Sequence, residues 1–292
     1  MRIVLIGKNG QLGWELQHTL LPLGEVIALG RNDLDLSAPE AMQKTVAALR
    51  PDLVINAAAY TEVDAAETQC ELAMQINAVA PGVLAEVSRR IGAVFIYYST
   101  DYVFDGRTDK PYSENDLTNP LNAYGKSKYQ GEENIKMAGD AYLIIRTSWV
   151  YGMRGNSFVN KVLEWARNNT TLKIVSDQIS SPTWARMLAE ITTAALVKNQ
   201  TELIEKIRET RGVYHLAGSG YTSRYEWAKQ ILANDPRQSE QMVQAVEPVS
   251  SAEFLTPATR PLFSALDCSK FETIFHLKLP DWKTSLREAM KK

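Results

Sequence analysis

The stretch that decides the fold is Ile3-Val4-Leu5-Ile6-Gly7-Lys8-Asn9-Gly10-Gln11-Leu12-Gly13. Its apolar first half predicts a buried strand, and its second half predicts a tight turn that opens a helix. The glycines at Gly7, Gly10 and Gly13 let a phosphate approach the backbone, where helix N–H groups and the helix dipole favour negative charge. The same spacing also suits an ordinary strand-to-helix turn. Its place between a strand and a helix favours a site for the pyrophosphate of a dinucleotide.

The first half of the chain alternates apolar, β-branched runs with helical patterns. Strands are predicted at 3–6, 26–29, 53–55, 94–97 and 143–145, and helices at 11–21, 37–50, 65–78, 81–91 and 124–137. Continuous apolar runs indicate strands buried on both faces, which form a parallel sheet with helical crossovers. Ser37 and Glu40, with Pro39 between them, predict a capped helix start. The predicted fold is therefore α/β, a Rossmann-type doubly wound parallel sheet.

After Arg146 the pattern becomes less regular. Helices are predicted near 158–167, after Thr183, after Ser223 and from about 281, and strands near 172–175 and 213–216. We interpret residues 1–149 as an NAD(P)-binding Rossmann domain and residues 150–292 mainly as a smaller mixed α/β lobe that binds the substrate. Part of 183–198 is expected to return to the first domain.

Composition limits the classes of partner. The 292 residues carry 32 Lys and Arg against 34 Asp and Glu, a formal net charge of −2, and the basic residues are dispersed. We therefore expect no nucleic-acid partner. No apolar run approaches the roughly 18 residues of a membrane-spanning helix, so we expect a cytoplasmic protein with no membrane partner. Cys70 and Cys268 are isolated from each other and from the histidines, so no disulfide or zinc spacing is present and no metal site is assigned.

The end of the second predicted strand, Leu29-Gly30-Arg31, bears on the choice of cofactor. An acidic residue there would bind the ribose 2′-hydroxyl of NAD, whereas an arginine suits the 2′-phosphate of NADP. Gly30 brings no carboxylate and Arg31 brings a guanidinium, which favours NADPH and leaves NADH possible. Arg31 is alternatively a solvated loop residue. Asp35 is an equally good candidate for the adenine end of the cofactor and for a turn carboxylate at the entry to a helix.

A run of small side chains follows the third predicted strand. In Asn56-Ala57-Ala58-Ala59-Tyr60-Thr61 the backbone can pass close to a bound cofactor. We expect the side-chain amide of Asn77 to support this segment through hydrogen bonds.

Tyr124 and Lys128 are four residues apart and so project from one face of a predicted helix. A lysine ammonium favours the phenolate and is expected to lower the phenol pKa from about 10, which would make Tyr124 a proton shuttle. Thr100, leaving the fourth strand, can donate a hydrogen bond to the same carbonyl oxygen and stabilise developing charge. An exposed helix face explains many such pairs, but the position after a nucleotide turn favours chemistry.

Three segments carry a resemblance to a known family. They are Tyr98-Ser99-Thr100-Asp101-Tyr102-Val103-Phe104-Asp105-Gly106, Pro120-Leu121-Asn122-Ala123-Tyr124-Gly125-Lys126-Ser127-Lys128 and Arg146-Thr147-Ser148-Trp149-Val150-Tyr151. They resemble the extended short-chain dehydrogenase/reductase superfamily and, within it, the dTDP-4-dehydrorhamnose reductase family, over essentially the full chain. The resemblance implies reduction of the C4 carbonyl of dTDP-4-dehydro-β-L-rhamnose to dTDP-β-L-rhamnose. It also implies that 150–292 is mainly a sugar-nucleotide-binding lobe.

The resemblance further implies a role for individual residues. It makes Tyr124 the proton donor, Lys128 the partner of the ribose and of the phenol, and Thr100 the donor to the carbonyl. Residues implied to line the cofactor are Gly10, Gln11, Leu12, Asp35, Leu36, Ala59, Tyr60, Thr61 and Tyr98. Residues implied to face the dTDP-sugar are Thr100, Asp101, Tyr124 and Trp149, with Arg260 binding the diphosphate as a bidentate partner.

Two family features stay open. Some members carry an acidic residue where this chain has Gly30. Some form a magnesium-linked homodimer, so a homodimer and magnesium are both possible, but no carboxylates are assigned to the ion. Glu15 is a candidate and is also explained as a solvated helix residue.

Two other functions compete with the reductase. A sugar-nucleotide dehydratase or epimerase of the same superfamily is disfavoured for elimination, because dehydratases show an Asp-Glu pair where this chain has Asp101-Tyr102. A noncatalytic regulatory subunit, similar to that of methionine adenosyltransferase, keeps much of the same motif set. Motifs alone do not exclude it.

Overall fold

The structure, a computed structural model, describes residues 1–197 and 202–291. The strands are β1 (Arg2–Ile6), β2 (Glu25–Leu29), β3 (Leu53–Asn56), β4 (Val94–Thr100), β5 (Tyr142–Thr147), β6 (Val150–Tyr151), β7 (Thr171–Val175), β8 (Ile179–Ser180), β9 (Thr183–Trp184), β10 (Gly212–His215), β11 (Thr222–Ser223) and β12 (Ala245–Val249). The helices are α1 (Gln11–Thr19), α2 (Pro39–Leu49), α3 (Cys70–Met74), α4 (Ala80–Ile91), α5 (Ala123–Ala138), α6 (Phe158–Asn168), α7 (Ala185–Val197), α8 (Leu203–Thr210), α9 (Arg224–Ala233), α10 (Ser269–Phe275) and α11 (Trp282–Met290).

The main sheet is parallel and has the order β10-β5-β4-β3-β1-β2. The chain reverses its direction of travel between β1 and β3, which creates a crevice at the carboxyl ends of these strands. Ligands of open α/β sheets bind at such a switch point. The predicted doubly wound fold is confirmed.

Helices cover both faces of this sheet, as continuous apolar strands require. One apolar cluster joins α1, α7, α8 and α10 to the first face, and a second joins α2, α4 and α5 to the other. The strand register places the ends of β1, β3 and β4 along one edge. The glycine turn, the loop after β3 and Thr100 therefore meet at this edge.

The glycine turn joins β1 to α1 by close approach. Gly7 has φ of +98°, in the left-handed region that favours glycine. A Cβ on Gly13 would lie 2.0 Å from the Gly7 carbonyl oxygen. Only hydrogen at Gly13 therefore lets α1 begin this close to β1.

The second lobe packs short strands against helices around a separate apolar core. The strands β7 and β12 form a parallel pair, while β6 pairs with β9 and β8 with β11. The core holds side chains from α6, α9 and α11, with Trp227 and Trp282 among them. The predicted helix near 158–167 and the predicted strand near 172–175 are found in this lobe.

Several local predictions are wrong. Ser37 does not cap α2: Ala38 occupies the N-cap position without a side-chain bond, because the Ser37 hydroxyl donates to Asp35. The predicted helices at 65–78 and 81–91 are joined by a π-helical segment, Gln75–Val79. By contrast, the strand predicted near 213–216 is found as β10, which pairs with β5 in the main sheet.

The chain returns to the first domain more than once after residue 149. α7 packs on α1, while α8, β10 and α10 complete the main sheet and one of its faces. Residue 198, the end of the expected return segment, lies outside the described residues. None of the helices in the described part of the chain has both the length and the apolar character needed to cross a membrane.

Candidate active site

Thr100 and Tyr124 meet where β4 ends and α5 begins. Thr100 is the last residue of β4, and Tyr124 lies in the first turn of α5. Their side chains lie close enough for the Thr100 hydroxyl to affect the pKa of the phenol. The close approach depends on Gly125, because a Cβ there would lie 2.3 Å from the Tyr102 carbonyl oxygen. The start of α5 can thus bring a phenol against the end of the strand.

Lys128 is buried one turn further along α5. Its ammonium donates to the Tyr98 carbonyl oxygen at 2.7 Å and lies 4.0 Å from the centre of the Tyr97 ring. Burial lowers the pKa of Lys128 to about 7, against the opposing effect of the Glu132 carboxylate. Burial thus disfavours the ammonium form, and the Glu132 carboxylate favours it.

The pKa of Tyr124 is raised, although the sequence predicts that Lys128 lowers it. Burial disfavours the phenolate and outweighs the hydrogen bond with Thr100, which acts in the opposite direction. The ammonium of Lys128 is directed to the Tyr98 carbonyl, and its own low pKa reduces its mean charge. The predicted direction is wrong for the protein chain taken by itself.

Asp101 is buried where the second lobe meets the end of β4. Its carboxylate accepts hydrogen bonds from Ser264 Oγ at 2.5 Å, from Ser180 Oγ at 3.2 Å and from Thr100 Oγ1 at 3.1 Å. Burial raises the pKa of Asp101 to about 6 in spite of these bonds. One carboxyl thus joins the two lobes beside the predicted catalytic hydroxyls.

The glycine turn fits a pyrophosphate. No side chain caps α1 at Gly10, and a Cβ on Gly10 would contact only the Gly7 carbonyl oxygen, at 3.4 Å. The neighbouring Gln11 Oε1 is buried without a hydrogen-bond partner in the described chain. Uncapped N–H groups and an open approach suit an anionic group at the helix start.

The loop after β3 is held by Asn77. The Asn77 amide accepts from the Tyr60 N–H at 2.9 Å and donates to the Tyr60 carbonyl and to Ser127 Oγ, both at 3.0 Å. Ala59 and Tyr60 are half-buried and Thr61 is exposed. The expected support by Asn77 is confirmed.

A cavity of about 180 Å³ lies beyond the end of β2. It is lined by Lys8, Asn9, Gly30, Arg31, Asn32 and Asp33. Lys8 Nζ pairs with Asp33 at 2.7 Å, and Asp33 also accepts from the Gly30 N–H at 2.8 Å. A Cβ on Gly30 would lie 3.2 Å from Lys8 Cε, so the glycine gives the lysine room. Lys8 is a second cation beside the exposed Arg31, and it was not among the predicted cofactor residues.

Other predicted cofactor residues have structural roles. Asp35 Oδ1 accepts from the N–H and hydroxyl of Ser37 at 2.9 and 2.8 Å, so it closes the turn before α2. The side chains of Leu12, Leu36 and Tyr98 lie in the apolar cores.

A cavity of about 680 Å³ opens between the second lobe and the end of the main sheet. Its lining contains four cationic side chains, Arg107, Lys173, Arg224 and Arg260, and the carboxylate of Asp105. Aromatic side chains such as Phe158, Trp165 and Phe254 complete the wall. The cavity combines positive charge with flat apolar surface, which suits an anionic ligand with a ring.

Arg224 is a half-buried cation in this wall without a carboxylate partner. Its Nε donates to Gln178 Oε1 at 3.0 Å, and it is hydrogen-bonded to Tyr102. No carboxylate of residues 1–197 or 202–291 lies within ion-pair distance of it, and burial lowers its pKa. A half-buried guanidinium without a counter-ion is a candidate anion ligand.

Trp149 carries backbone strain beside Arg224. Its φ is +41°, which is rare for a bulky residue. Its ring stacks on Trp227 with centroids 5.5 Å apart, and the Arg224 guanidinium lies 4.3 Å from its centre. Such strain persists where packing holds it, and it is frequent at functional sites.

Arg260 is bound to the first lobe. Its Nη1 and Nη2 donate to the two carboxylate oxygens of Asp64 at 3.0 and 2.8 Å. Asp64 also accepts from the Ala258 N–H at 3.1 Å, and Asn122 donates to the Thr259 carbonyl at 2.7 Å. The predicted diphosphate ligand thus lines the cavity while being paired with a carboxylate.

Four residues of the candidate site were not predicted from the sequence, for different reasons. Lys8 lies inside the quoted glycine turn, and Glu132 extends the four-residue spacing of Tyr124 and Lys128, so both had a local signal. Arg224 and Gln178 have none, because they are brought together only by the fold.

The described residues form no evident metal centre. Within the described ranges, no group of three or more His, Cys, Asp or Glu side chains is placed to hold a metal ion. Glu15, the candidate for magnesium, lies half-buried on α1. The comparisons below do not support magnesium.

The fold and this site define an oxidoreductase of the extended short-chain dehydrogenase/reductase type, with a glycine turn for a dinucleotide and a Tyr-x-x-x-Lys pair at the sheet edge. The model of the family described as RmlD substrate binding domain matches residues 1–292. The chain belongs to this family.

Relatives match along nearly the whole chain. The dTDP-4-dehydrorhamnose reductase of Burkholderia thailandensis is 42% identical over 286 residues, which cover 97% of this chain and 96% of the relative. The crystal structure of a dTDP-4-dehydrorhamnose reductase from Clostridium acetobutylicum has a TM-score of 0.90 at 37% identity, covering 100% and 99% of the two chains. That of the Bacillus anthracis enzyme, in complex with NADP, has a TM-score of 0.89 at 34% identity, covering 99% and 98%. The predicted family is confirmed.

Proposed function

We propose that this chain reduces the C4 carbonyl of dTDP-4-dehydro-β-L-rhamnose to give dTDP-β-L-rhamnose, with NADPH as the reductant. The observation that carries the proposal is the placement of the Thr100 and Tyr124 side chains beside each other at the end of β4, with Lys128 one turn further along α5. This group lies at the edge of the sheet where the glycine turn fits a dinucleotide. The names of the relatives support the sugar.

The residues divide the chemistry. NADPH, when bound, supplies the hydride that adds to the carbonyl carbon. Tyr124 gives its proton to the carbonyl oxygen, and the raised pKa of the phenol keeps that proton in place until then. Thr100 donates a hydrogen bond to the same oxygen and stabilises the charge that develops on it. Lys128 binds the ribose hydroxyls and, as an ammonium, stabilises the phenolate left on Tyr124.

The cofactor would lie along the first lobe, residues 1–149. Gly7, Gly10 and Gly13 admit the pyrophosphate to the start of α1. The loop of Ala59, Tyr60 and Thr61 passes beside the nicotinamide half.

The adenosine 2′-phosphate would bind between Arg31 and Lys8, which favours NADPH. Asp33 offers a carboxylate to unphosphorylated ribose, so NADH stays possible. The NADP complex of the Bacillus anthracis relative supports NADP(H).

The substrate would occupy the cavity beside Arg224 and Arg260, mainly within 150–292. These two guanidinium groups bind the diphosphate, while Thr100, Asp101 and Trp149 face the sugar. The described part of 183–198 returns to the first lobe as α7. Homodimer formation stays a prediction.

Rival activities lack a supporting residue. Elimination needs a second acid beside Asp101, and Tyr102 occupies that position, where it is buried and hydrogen-bonded to Arg224. The regulatory-subunit alternative predicts no turnover, so an assay of turnover distinguishes it from the reductase.

The test is to give purified chain dTDP-4-dehydrorhamnose with NADPH or NADH, following nicotinamide oxidation and identifying the sugar product. We expect dTDP-rhamnose, with a higher kcat/KM for NADPH. Absence of turnover with both cofactors would overturn the proposal, and retained nucleotide binding in that case would favour the regulatory subunit.

Tyr124→Phe should retain NADPH affinity and lose at least about 100-fold in kcat, because general acid catalysis contributes factors of this size. Tyr129→Phe, on the same helix, is the matched control and should keep normal turnover. Equal loss of NADPH binding and turnover in Tyr124→Phe would instead assign the phenol a structural role.

A further inference from the structure

Glu132 is a carboxylate buried directly behind the reaction site. Tyr124, Lys128 and Glu132 follow one another at four-residue intervals on α5, so they lie on one face of the helix. Neither the family resemblance nor the proposed mechanism gives Glu132 a role.

The carboxylate of Glu132 accepts three hydrogen bonds. Its Oε1 accepts from Ser99 Oγ at 2.5 Å and from Arg146 Nε at 2.9 Å, and its Oε2 accepts from Arg146 Nη2 at 2.6 Å. Arg146 is 2% exposed and Glu132 is 0% exposed. A buried ion pair is a weak source of stability, because desolvation of both charges offsets their attraction. Stability alone therefore does not explain why this ion pair lies behind the reaction site.

The bonds to Glu132 fix α5 against the strand that carries the reaction site. Ser99, which donates to Glu132, lies between Tyr98 and Thr100 on β4. The Tyr98 carbonyl accepts from Lys128, and the Thr100 side chain lies beside that of Tyr124. Three successive residues of β4 thus engage three successive turns of α5.

Among the described residues, titratable groups surround Lys128 on several elements. On α5 these are the neutral phenol of Tyr124 and the carboxylate of Glu132; β4 presents the Tyr97 ring at 4.0 Å. From β5, Arg146 acts through its pairing with Glu132. Beyond β4, Asp101 lies next to Tyr124. Glu132 is the carboxylate whose charge opposes the effect of burial on Lys128.

We propose that Glu132 is a positioning residue of the reductase site, which keeps Lys128 in place and in its ammonium form. This inference rests on the proposed function. The ammonium is the form that binds ribose hydroxyls as a full donor and stabilises the phenolate when Tyr124 gives up its proton. Without the carboxylate, burial would leave Lys128 as an amine over more of the neutral range.

The main test is Glu132→Gln, which keeps the shape and removes the charge. The pKa of Lys128 should fall by about one unit, which moves the alkaline limb of kcat to lower pH. Activity at pH 6 should stay within about threefold of the wild type, and activity at pH 8 should fall about tenfold, as one unit implies. An unshifted limb would overturn the proposal.

Two control variants distinguish the loss of the Glu132 charge from a loss of structure. Glu132→Asp keeps the charge. The alkaline limb of its kcat profile should therefore stay within about 0.3 pH units of the wild-type limb, even if its rate is lower throughout. Asp235→Asn breaks the largely buried ion pair with Arg167 in the second lobe and should leave the limb unchanged. A uniform loss of rate in both Glu132 variants, with no shift, would mean a purely structural role.

Glu132→Gln leaves Arg146 unpaired and can misfold for that reason. The double variant Glu132→Gln/Arg146→Gln removes both charges and supplies the folded protein for the same titration. It should shift in the same direction, since the charge that raises the pKa of Lys128 is that of Glu132. A folded double variant with no shift would contradict the proposal.

A readout on the chain without cofactor or substrate separates this inference from the proposed function. The 13Cε resonance of Lys128, assigned by its absence in Lys128→Met, should titrate near pH 7 in the wild type. It should titrate about one unit lower in Glu132→Gln. Failure of turnover with the sugar nucleotide would end the proposed function, while this titration would still decide the role of Glu132.

Discussion

At the scale of single residues, Asp101 shows how burial competes with hydrogen bonding. Three hydroxyl groups donate to its carboxylate, which favours the ionised form. Removal from water disfavours that form by more, so the pKa is raised to about 6. Folding therefore favours the protonated acid. This stabilisation is complete below the unfolded pKa near 3.8 and is lost as pH rises through about 6.

Asp101→Asn should remove this pH dependence. The free energy of unfolding of the wild type, measured relative to the variant, should fall by about 1 to 1.5 kcal/mol between pH 5 and pH 8. Denaturant unfolding of both proteins at several pH values measures it. Asp116→Asn is the control, because its carboxyl has a lowered pKa and titrates below this range. A constant difference between wild type and Asp101→Asn would show that Asp101 titrates normally.

At the scale of elements, the sequence pattern predicted those strands and helices that a single segment determines by itself. The strands β1 to β5 and helices such as α5 and α6 follow from apolar periodicity, which one segment carries by itself. α8, α10 and β12 were not predicted. β12 contains Pro248, which lacks a donor and argues against a strand, yet β12 pairs only with β7 among the described residues. Its place was set by the partner strand.

The glycine turn allows a matched test within one element. Gly13→Ala places a Cβ 2.0 Å from the Gly7 carbonyl oxygen, so β1 and α1 must separate. We expect a loss of about 3 kcal/mol or more in the free energy of unfolding. Gly10 has a φ of −73°, and the Cβ added by Gly10→Ala would lie 3.4 Å from its nearest neighbour, the Gly7 carbonyl oxygen. It should cost less than about 1 kcal/mol, yet lower NADPH affinity at least about tenfold by occupying the phosphate approach.

Denaturant unfolding and NADPH fluorescence titration of the two variants measure the pair of effects. Similar stability loss in both variants would contradict the division between a packing glycine and an approach glycine. Normal NADPH affinity in Gly10→Ala would place the pyrophosphate elsewhere.

At the scale of the whole molecule, the site is assembled from distant parts of the chain. Ser180 and Ser264 reach Asp101 from 79 and 163 residues away, and Arg260 reaches Asp64 from 196 residues away. No spacing rule connects such residues, so Arg224 and the serines could not be found from sequence, whereas Tyr124 and Lys128 share one helix and could. Arg260 was anticipated as a phosphate ligand by resemblance, but its carboxylate partner was not.

The Asp64–Arg260 pair is a junction between the lobes. Asp64 holds both the guanidinium and the Ala258 N–H, and the pairing lowers the pKa of Asp64. Asp64 is 40% exposed, so the pair contributes at most about 1 kcal/mol to global stability. Its larger effect is expected on the segment 256–261, four of whose residues line the 680 Å³ cavity. Under the proposed function, the pair would hold Arg260 ready for the diphosphate and so lower the ordering cost of binding.

Asp64→Ala should therefore raise the KM for the sugar nucleotide about tenfold, or about 1.4 kcal/mol, with a smaller change in kcat. Amide hydrogen exchange within 256–261 should increase, because the Ala258 N–H and the guanidinium lose their common acceptor. Asp140→Ala is the matched control, since Asp140 forms an exposed pair with Arg208 away from the cavity, and it should change neither quantity. If Asp64→Ala lowers KM instead, Asp64 competes with the substrate for Arg260 rather than positioning it, and the junction restrains binding.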